Sequence, residues 1–292
     1  MFGRKKTDKL IQDIDRYFDL MDQQLLVFKE GVRNYLYDGQ QAFNQKLSSM
    51  AELQAEIEVL RRSLENSLYT QTVLERSRAD IMRLFEKTRT ITDTLNDSLT
   101  QFEIETPFVP SELNSDFLKL TELSCNAAQA VVPAAKAYFK LPESVPDKIQ
   151  RSYYYEKEAI KQSQAIKRTV FHKMTSLKLS ERFHLRYFAL HIETLSKQAA
   201  NVADQLAVMT IRRALYIYGL PVAHICPFRR IGMLLVFRAS RTAFRFYAGK
   251  HKPQQVLYHF MLCPDACLRP FLPFRESGEW CGEFNRRYGQ RL

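Results

Sequence analysis

From about residue 8 to residue 216 the apolar residues recur at spacings of three and four. That period is one face of an α-helix, and it persists through segments of about 25–36 residues. Chains of this kind bury their stripes by packing long helices side by side, as a bundle or in coiled-coil fashion. The first stripe is Leu10, Ile11, Ile14, Phe18, Met21, Leu25, Phe28 and Val32. It runs to about Tyr37, with Thr7 as the expected N-cap and Asp8 in the first turn. Asp38-Gly39 marks a turn. A second stripe follows through Phe43, Leu47, Met50, Leu53, Ile57, Leu60, Leu64 and Leu68, and a third from Ser77 through Ile81, Leu84, Phe85, Thr88, Ile91, Leu95 and Leu99.

Pro107 and Pro110 close this group. A fourth helix is expected from about 112 to 140, capped by Ser111 or Ser115 and kinked at Pro133, because a proline inside a helix removes a backbone bond and crowds the preceding turn. Its small apolar run of Ala127, Ala128, Ala130, Val131, Val132, Ala134 and Ala135 lets neighbours approach closely, which places it inside the bundle. A fifth helix spans about 146–175 and a sixth about 180–216, with Ser180 as its cap and Glu181 in its first turn. The first links are short, so neighbouring helices run antiparallel. The break at 106–111 divides the six into two groups of three, an internal duplication in pattern. The expected organisation is therefore a bundle over residues 1–217, with repeats 1–106 and 107–217.

Beyond residue 217 the material changes. Residues 214–292 hold 12 Lys and Arg against 4 Asp and Glu, and so carry most of the net charge of +11. Six of the nine glycines, six of the eleven prolines, four of the five cysteines and the single Trp lie there. The apolar residues of this tail, 218–292, follow no clean period. Its Arg-rich, aromatic composition would suit an anionic membrane surface or nucleic acid as an evolved patch. Such an abrupt shift is equally what a shifted or extended reading frame produces. His251, His259, Cys263 and Cys267 are zinc-ligand types, but their spacing matches no familiar finger and Pro264 interrupts it.

The segment ELQAEIEVLRRSLENSLY (52–69), then Ser77, Arg78, Asp80, Ile81 and Leu84, then RTITD with Ile91 and Asp93, follow one another in the first group. EKEAIKQ (156–162) and ETLSKQAANVAD (193–204) echo them in the second. Together these resemble the PhoU-like phosphate transport regulators, over about residues 1–213. The likeness is greatest to the branch associated with Pit-type phosphate transporters. Its motif reads E-L-E-x-E-A-D-x-I-R-R over the stretch that begins at Glu52.

The resemblance implies an elongated all-α bundle of two three-helix repeats. It implies a non-enzymatic, cytoplasmic regulator that contacts a phosphate transporter at the inner face of the membrane. A homodimer is compatible with it and a nucleic-acid partner is not expected. It also implies carboxylates that hold divalent metal such as Mg, Mn or Fe, and hence the rival reading of a metal-storage or metal-sensing bundle. The positions that carry over are Glu56, Glu58, Asp93, Glu158 and Glu193. Three others depart from the acidic pattern: Arg89, Ile160 and Lys197. Basic residues at acidic positions neutralise the remaining carboxylates without an ion, so Arg89 and Lys197 are expected to pair with them. Arg61 and Arg62, beside Glu58 and Glu65, read as ordinary surface pairs.

No Walker or dinucleotide glycine motif occurs, and His172, His184 and His191 have no nucleophile at a recognisable spacing.

Overall fold

The computed structural model describes residues 2–70, 74 and 77–217. The expectations for residues 218–292, including the zinc-type residues, lie outside the described residues. The helices are α1 (Phe2–Arg33), α2 (Gln40–Thr70), α3 (Arg78–Glu105), α4 (Ser111–Gln129), α5 (Val131–Lys140), α6 (Val145–His172) and α7 (Leu179–Ile217). Helices α4 and α5 are the two arms of the expected fourth helix, so the six-helix pattern holds, and no strand occurs among the described residues. At 39 residues, α7 extends for about 60 Å.

The ends of these helices have local causes. A π-helical turn, Asn34–Asp38, follows α1, and the Gly39 N–H bonds back to the Asn34 carbonyl at 2.9 Å. Gly39 has φ +88°, which a residue without Cβ reaches freely. Thr106, in the left-handed region, ends α3, and Pro107 and Pro110 keep the chain extended.

Several expected boundaries move. The α1 helix begins at Phe2, so Thr7 and Asp8 lie inside it, where Arg4, Lys5 and Lys6 are good helix formers. Neither Ser111 nor Ser115 is the cap of α4; Pro110 occupies that place, with φ −59°. The helix is interrupted at Ala130, in the turn before Pro133. Proline at 133 has no N–H for the Gln129 carbonyl and crowds it, so the ladder breaks one turn before the ring. At the start of α7 the Glu181 carboxylate accepts the Lys178 backbone N–H at 2.7 Å. This is half of a capping box, and it starts the helix before Ser180.

Within each group of three, α1 packs on α2 and α3, and α6 packs on α4, α5 and α7. The groups meet through like helices: α1 against α4 and α5, and α3 against α7. Along α1 the cross-links are Asp15 to Lys140 (2.6 Å), Asp19 to Lys136, and Asp22 to Gln129 (3.2 Å). Along α3 they are Glu105 to His184 (2.8 Å), Thr94 to Gln198 (2.7 Å) and Asp80 to Arg212 (2.5 Å). In both series one number falls as the other rises, so both seams are antiparallel.

The buried faces of corresponding helices superpose in sequence. Ile57, Arg61, Leu64 and Leu68 of α2 correspond to Ala159, Ser163, Ile166 and Val170 of α6, each 102 residues later. Ile81, Leu84, Ile91, Leu95 and Leu99 of α3 correspond to Leu185, Phe188, Leu195, Ala199 and Ala203 of α7, each 104 later. The alanines of α4 and α5 are buried, as expected of a central helix.

Candidate functional site: the carboxylate positions of the two repeats

In the first repeat α2 carries Glu58 on the edge of its buried face, one turn before Arg61. The Arg61 side chain lies where an apolar residue would continue the stripe from Ile57 to Leu64, and Arg61 is only 8% exposed. Its guanidinium donates Nε to Glu58 Oε2 at 3.0 Å and Nη2 to Glu58 Oε1 at 2.7 Å, and it also bonds Glu65. Arg62 Nε adds a bond to Glu58 Oε1 at 3.0 Å. The Arg61 bonds hold the Glu58 carboxyl down at about 2 against the opposing effect of burial, with Arg62 and Arg89 assisting. Arg61 is therefore an interior cation gripping two carboxylates, not the surface pair its i,i+3 and i,i+4 spacing implies. Arg62, on the exposed side, does fit that reading.

Asp93 faces α2 from α3. It accepts Gln54 Nε2 at 2.9 Å and lies 3.2 Å from Arg89 Nε. Gln54 Oε1 in turn accepts Gln24 Nε2 from α1 at 2.8 Å. A chain of amides and cations thus runs across three helices where the resemblance implies clustered carboxylates. Gln54 stands where that motif carries its second glutamate, a departure visible in ELQ against E-L-E. Glu56 takes no part: it pairs at 2.7 Å with Arg16 on the exposed side. Asp80, from the SRADI segment, is spent on the α3–α7 seam with Arg212.

The second repeat solves the same problem with the signs exchanged. Glu193 of α7 is 4% exposed and lies between Lys167 of α6, at 2.7 Å, and Lys197, at 2.5 Å. Burial raises the Glu193 carboxyl pKa, but bonds from Lys167, Lys197 and Ser163 outweigh it and the net direction is down. Glu158 is not in this cluster. It pairs with Lys161 at 2.6 Å near the outside of α6, nine residues, or about 14 Å of helix, before Lys167. Ile160 is half-buried.

The carboxylates marked by the resemblance are thus not brought together. Glu58, Asp93 and Glu193 are saturated by Arg61, Arg62, Arg89, Gln54, Lys167 and Lys197, while Glu56 and Glu158 face other partners. A metal cluster needs several oxygen donors converging on one point without fixed cations among them. This donor set does not fit that requirement. Among the described residues, no group of three or more His, Cys, Asp or Glu is placed to hold an ion. Sequence reasoning missed Arg61, Gln54 and Lys167. Arg61 had a readable signal, an arginine on an apolar stripe. Lys167 had none, because only the α6–α7 register brings it to Glu193.

Other chemistry-bearing groups are equally committed. His184 bonds Glu105, and the His191 ring packs on Tyr187. Burial pushes the Cys125 thiol up to about 12. No described helix is long and apolar enough to cross a membrane.

No protein-family profile matches the chain. It is 22% identical over 214 residues to a UPF0111 protein of Thermotoga maritima, covering 73% of this chain and 98% of that one. A UPF0111 protein of Pyrococcus horikoshii is 21% identical over 216 residues, covering 73% of this chain and all of the relative. Among solved structures, a PhoU-like protein of Shewanella oneidensis aligns with a TM-score of 0.65 at 14% identity, over 70% of this chain and 99% of that one. A second Shewanella oneidensis protein, described as a candidate PhoU-like phosphate regulatory protein, aligns at 0.63, over 70% and 96%. The helical bundle of this chain has the PhoU-like fold, as its ELQAEIEVLRR, SRADI and TITD segments imply.

Proposed function

We propose that the protein is a non-enzymatic regulator of inorganic phosphate transport that acts by protein contact, with residues 1–217 as the working unit and 1–106 and 107–217 as its repeats. The fold carries this reading: nearly the whole length of two PhoU-like structures aligns with the bundle, and one of them is described as a candidate phosphate regulatory protein. The committed side chains support the non-enzymatic part. The acids and the basic groups beside them are tied to one another, and the one described cysteine is buried with its thiol protonated. A protein built this way offers surfaces rather than reactive groups. The partner in this reading is a phosphate permease, of the Pit type by the sequence resemblance, met from the cytoplasm.

The test is labelled-phosphate uptake in cells with and without the coding gene, together with affinity capture by the full chain. The reading predicts altered uptake and recovery of a phosphate permease. Unchanged uptake with no permease recovered would contradict it.

A further inference from the structure

The hairpin between α6 and α7 has properties that the bundle does not use. Leu179, Phe183 and Tyr187 recur at every fourth residue on α7 and are 61%, 49% and 38% exposed. The core face of the same helix is Leu185, Phe188, Ala189 and Ile192, so α7 begins with two apolar faces, and the second is only partly covered, by Phe171 against Phe183 and His191 against Tyr187. Around this second face the local sequence is basic. Residues 167–186 contain six Lys and Arg against one Asp or Glu. Arg168, Lys173, Lys178 and Arg186 are exposed.

Of the carboxylates at this end, Glu181 accepts the Lys178 N–H and Glu105 pairs with His184, while Asp38 and Glu103 are exposed. The loop itself is braced, because the Arg182 guanidinium donates to the Leu177 carbonyl at 3.0 Å and the Thr175 carbonyl at 2.8 Å. Three links, 34–39, 106–110 and 173–178, lie at this end of the bundle, joined by the Tyr35 hydroxyl on the Pro107 carbonyl and by Glu105 on His184. Ile104 and Phe108 are exposed there as well.

We propose that this hairpin tip docks on an anionic phospholipid surface, with Leu179, Phe183 and Tyr187 entering the headgroup boundary and Lys173, Lys178 and Arg186 meeting the lipid phosphates. Apolar side chains ringed by flexible basic ones match that interface on both counts: the rings are buried and the cations stay hydrated beside negative charge. A protein partner is the less favoured occupant, since the exposed cations are few, long and flexible, Lys173 and Lys178 on the link and Arg186 on one flank of the stripe. The inference rests on the reading that the bundle works against a membrane-embedded transporter, and it names the face turned to the lipid.

Vesicles free of any transporter test it separately. The full chain is expected to partition onto phosphatidylglycerol-containing vesicles at least about 10-fold better than onto phosphatidylcholine alone. In the full chain, the triple variant Lys173→Gln, Lys178→Gln, Arg186→Gln is expected to lower that partition about 100-fold. The pair Leu179→Ser, Phe183→Ser is expected to lower it about 10-fold or more. The five side chains are exposed, and only Phe183 and Arg186 lose ring contacts, so nearly unchanged melting temperatures are expected and show that the fold is kept. Hydrogen exchange of the unaltered chain should slow over residues 173–187 when anionic vesicles are added. Equal binding of the variants, protection confined to other segments, or no vesicle binding at all would overturn the proposal. Loss of vesicle binding alongside normal control of phosphate uptake would remove the lipid contact and leave the regulator reading standing. Vesicle binding as predicted with no effect on uptake would do the reverse.

Discussion

The two repeats fill corresponding positions with opposite charges but bury them unequally: Arg89 is half exposed where Glu193 is buried. Shifted by 104 residues, Arg89 and Asp93 of α3 fall on Glu193 and Lys197 of α7. Each pair closes across one helical turn, at 3.2 Å and 2.5 Å. Shifted by 102, Glu58, Arg61 and Glu65 of α2 fall on Ile160, Ser163 and Lys167 of α6. The first repeat therefore buries a cation, Arg61, between two acids. The second buries an acid, Glu193, between two cations. What the repeats share is a largely buried charge held between two opposite ones, both from its own helix in the first repeat and one from the facing helix in the second. The difference teaches that local neutrality is retained and the sign is free, which a site built around a cation would not allow.

Breaking either centre should be costly, and unequally so. Arg61→Ala leaves Glu58 and Glu65 facing each other at the edge of the core and deletes the stem that covers it. The expected loss is about 3–4 kcal/mol, seen as a fall of about 6–15 °C in melting temperature for a bundle of this size. Glu193→Gln keeps the shape and some hydrogen bonds to Lys167 and Lys197, both partly exposed, and should cost about 2 kcal/mol. A smaller loss for Arg61→Ala than for Glu193→Gln would break the assignment of Arg61 as the interior cation of the first repeat.

Acid sharpens the same comparison. The Glu58 carboxyl lies below its ordinary value of 4.5, at about 2, and Glu193 is also lowered. A depressed carboxylate adds stability that is fully present above the unfolded value and is lost as the pH falls through the folded one. Stability should therefore decline from about pH 4.5 toward pH 2. Arg61→Ala should flatten this acid limb by releasing Glu58, and denaturant midpoints measured across the range would show it. At the small end, Arg16→Ala and Lys161→Ala remove only the exposed partners of Glu56 and Glu158. Each should leave the melting temperature nearly unchanged, as exposed surface pairs do. A large fall in melting temperature at either position would mean that these outer acids belong to the buried centres after all.

The parts readable beforehand were those set by period and by proline and glycine. The stripes from Leu10 to Val32 and from Ile81 to Leu99 are buried as the spacing requires. Gly39 and the Pro107–Pro110 pair punctuate the chain where expected. Helix starts were less readable, because a side chain outside the first position, such as Glu181, supplied the cap. The pairing of Arg89 with Asp93 and of Lys197 with Glu193 could be anticipated, since both are i,i+4 on one helix. Gln24 to Gln54 and Lys167 to Glu193 could not, because they depend on how two helices are turned toward each other. Asp80 misled for the same reason: its motif suggests a site, and the fold uses it to join α3 to α7 through Arg212.

The central claim is that basic side chains and amides, not a metal ion, balance the carboxylates of both repeats. Its most direct test is the metal content of the full chain purified without chelator, read by elemental mass spectrometry alongside melting curves with and without a strong chelator. The account predicts well under one tightly held divalent or transition metal per chain and superimposable melts. One or more such ions per chain, with a melting temperature that falls when they are removed, would contradict it.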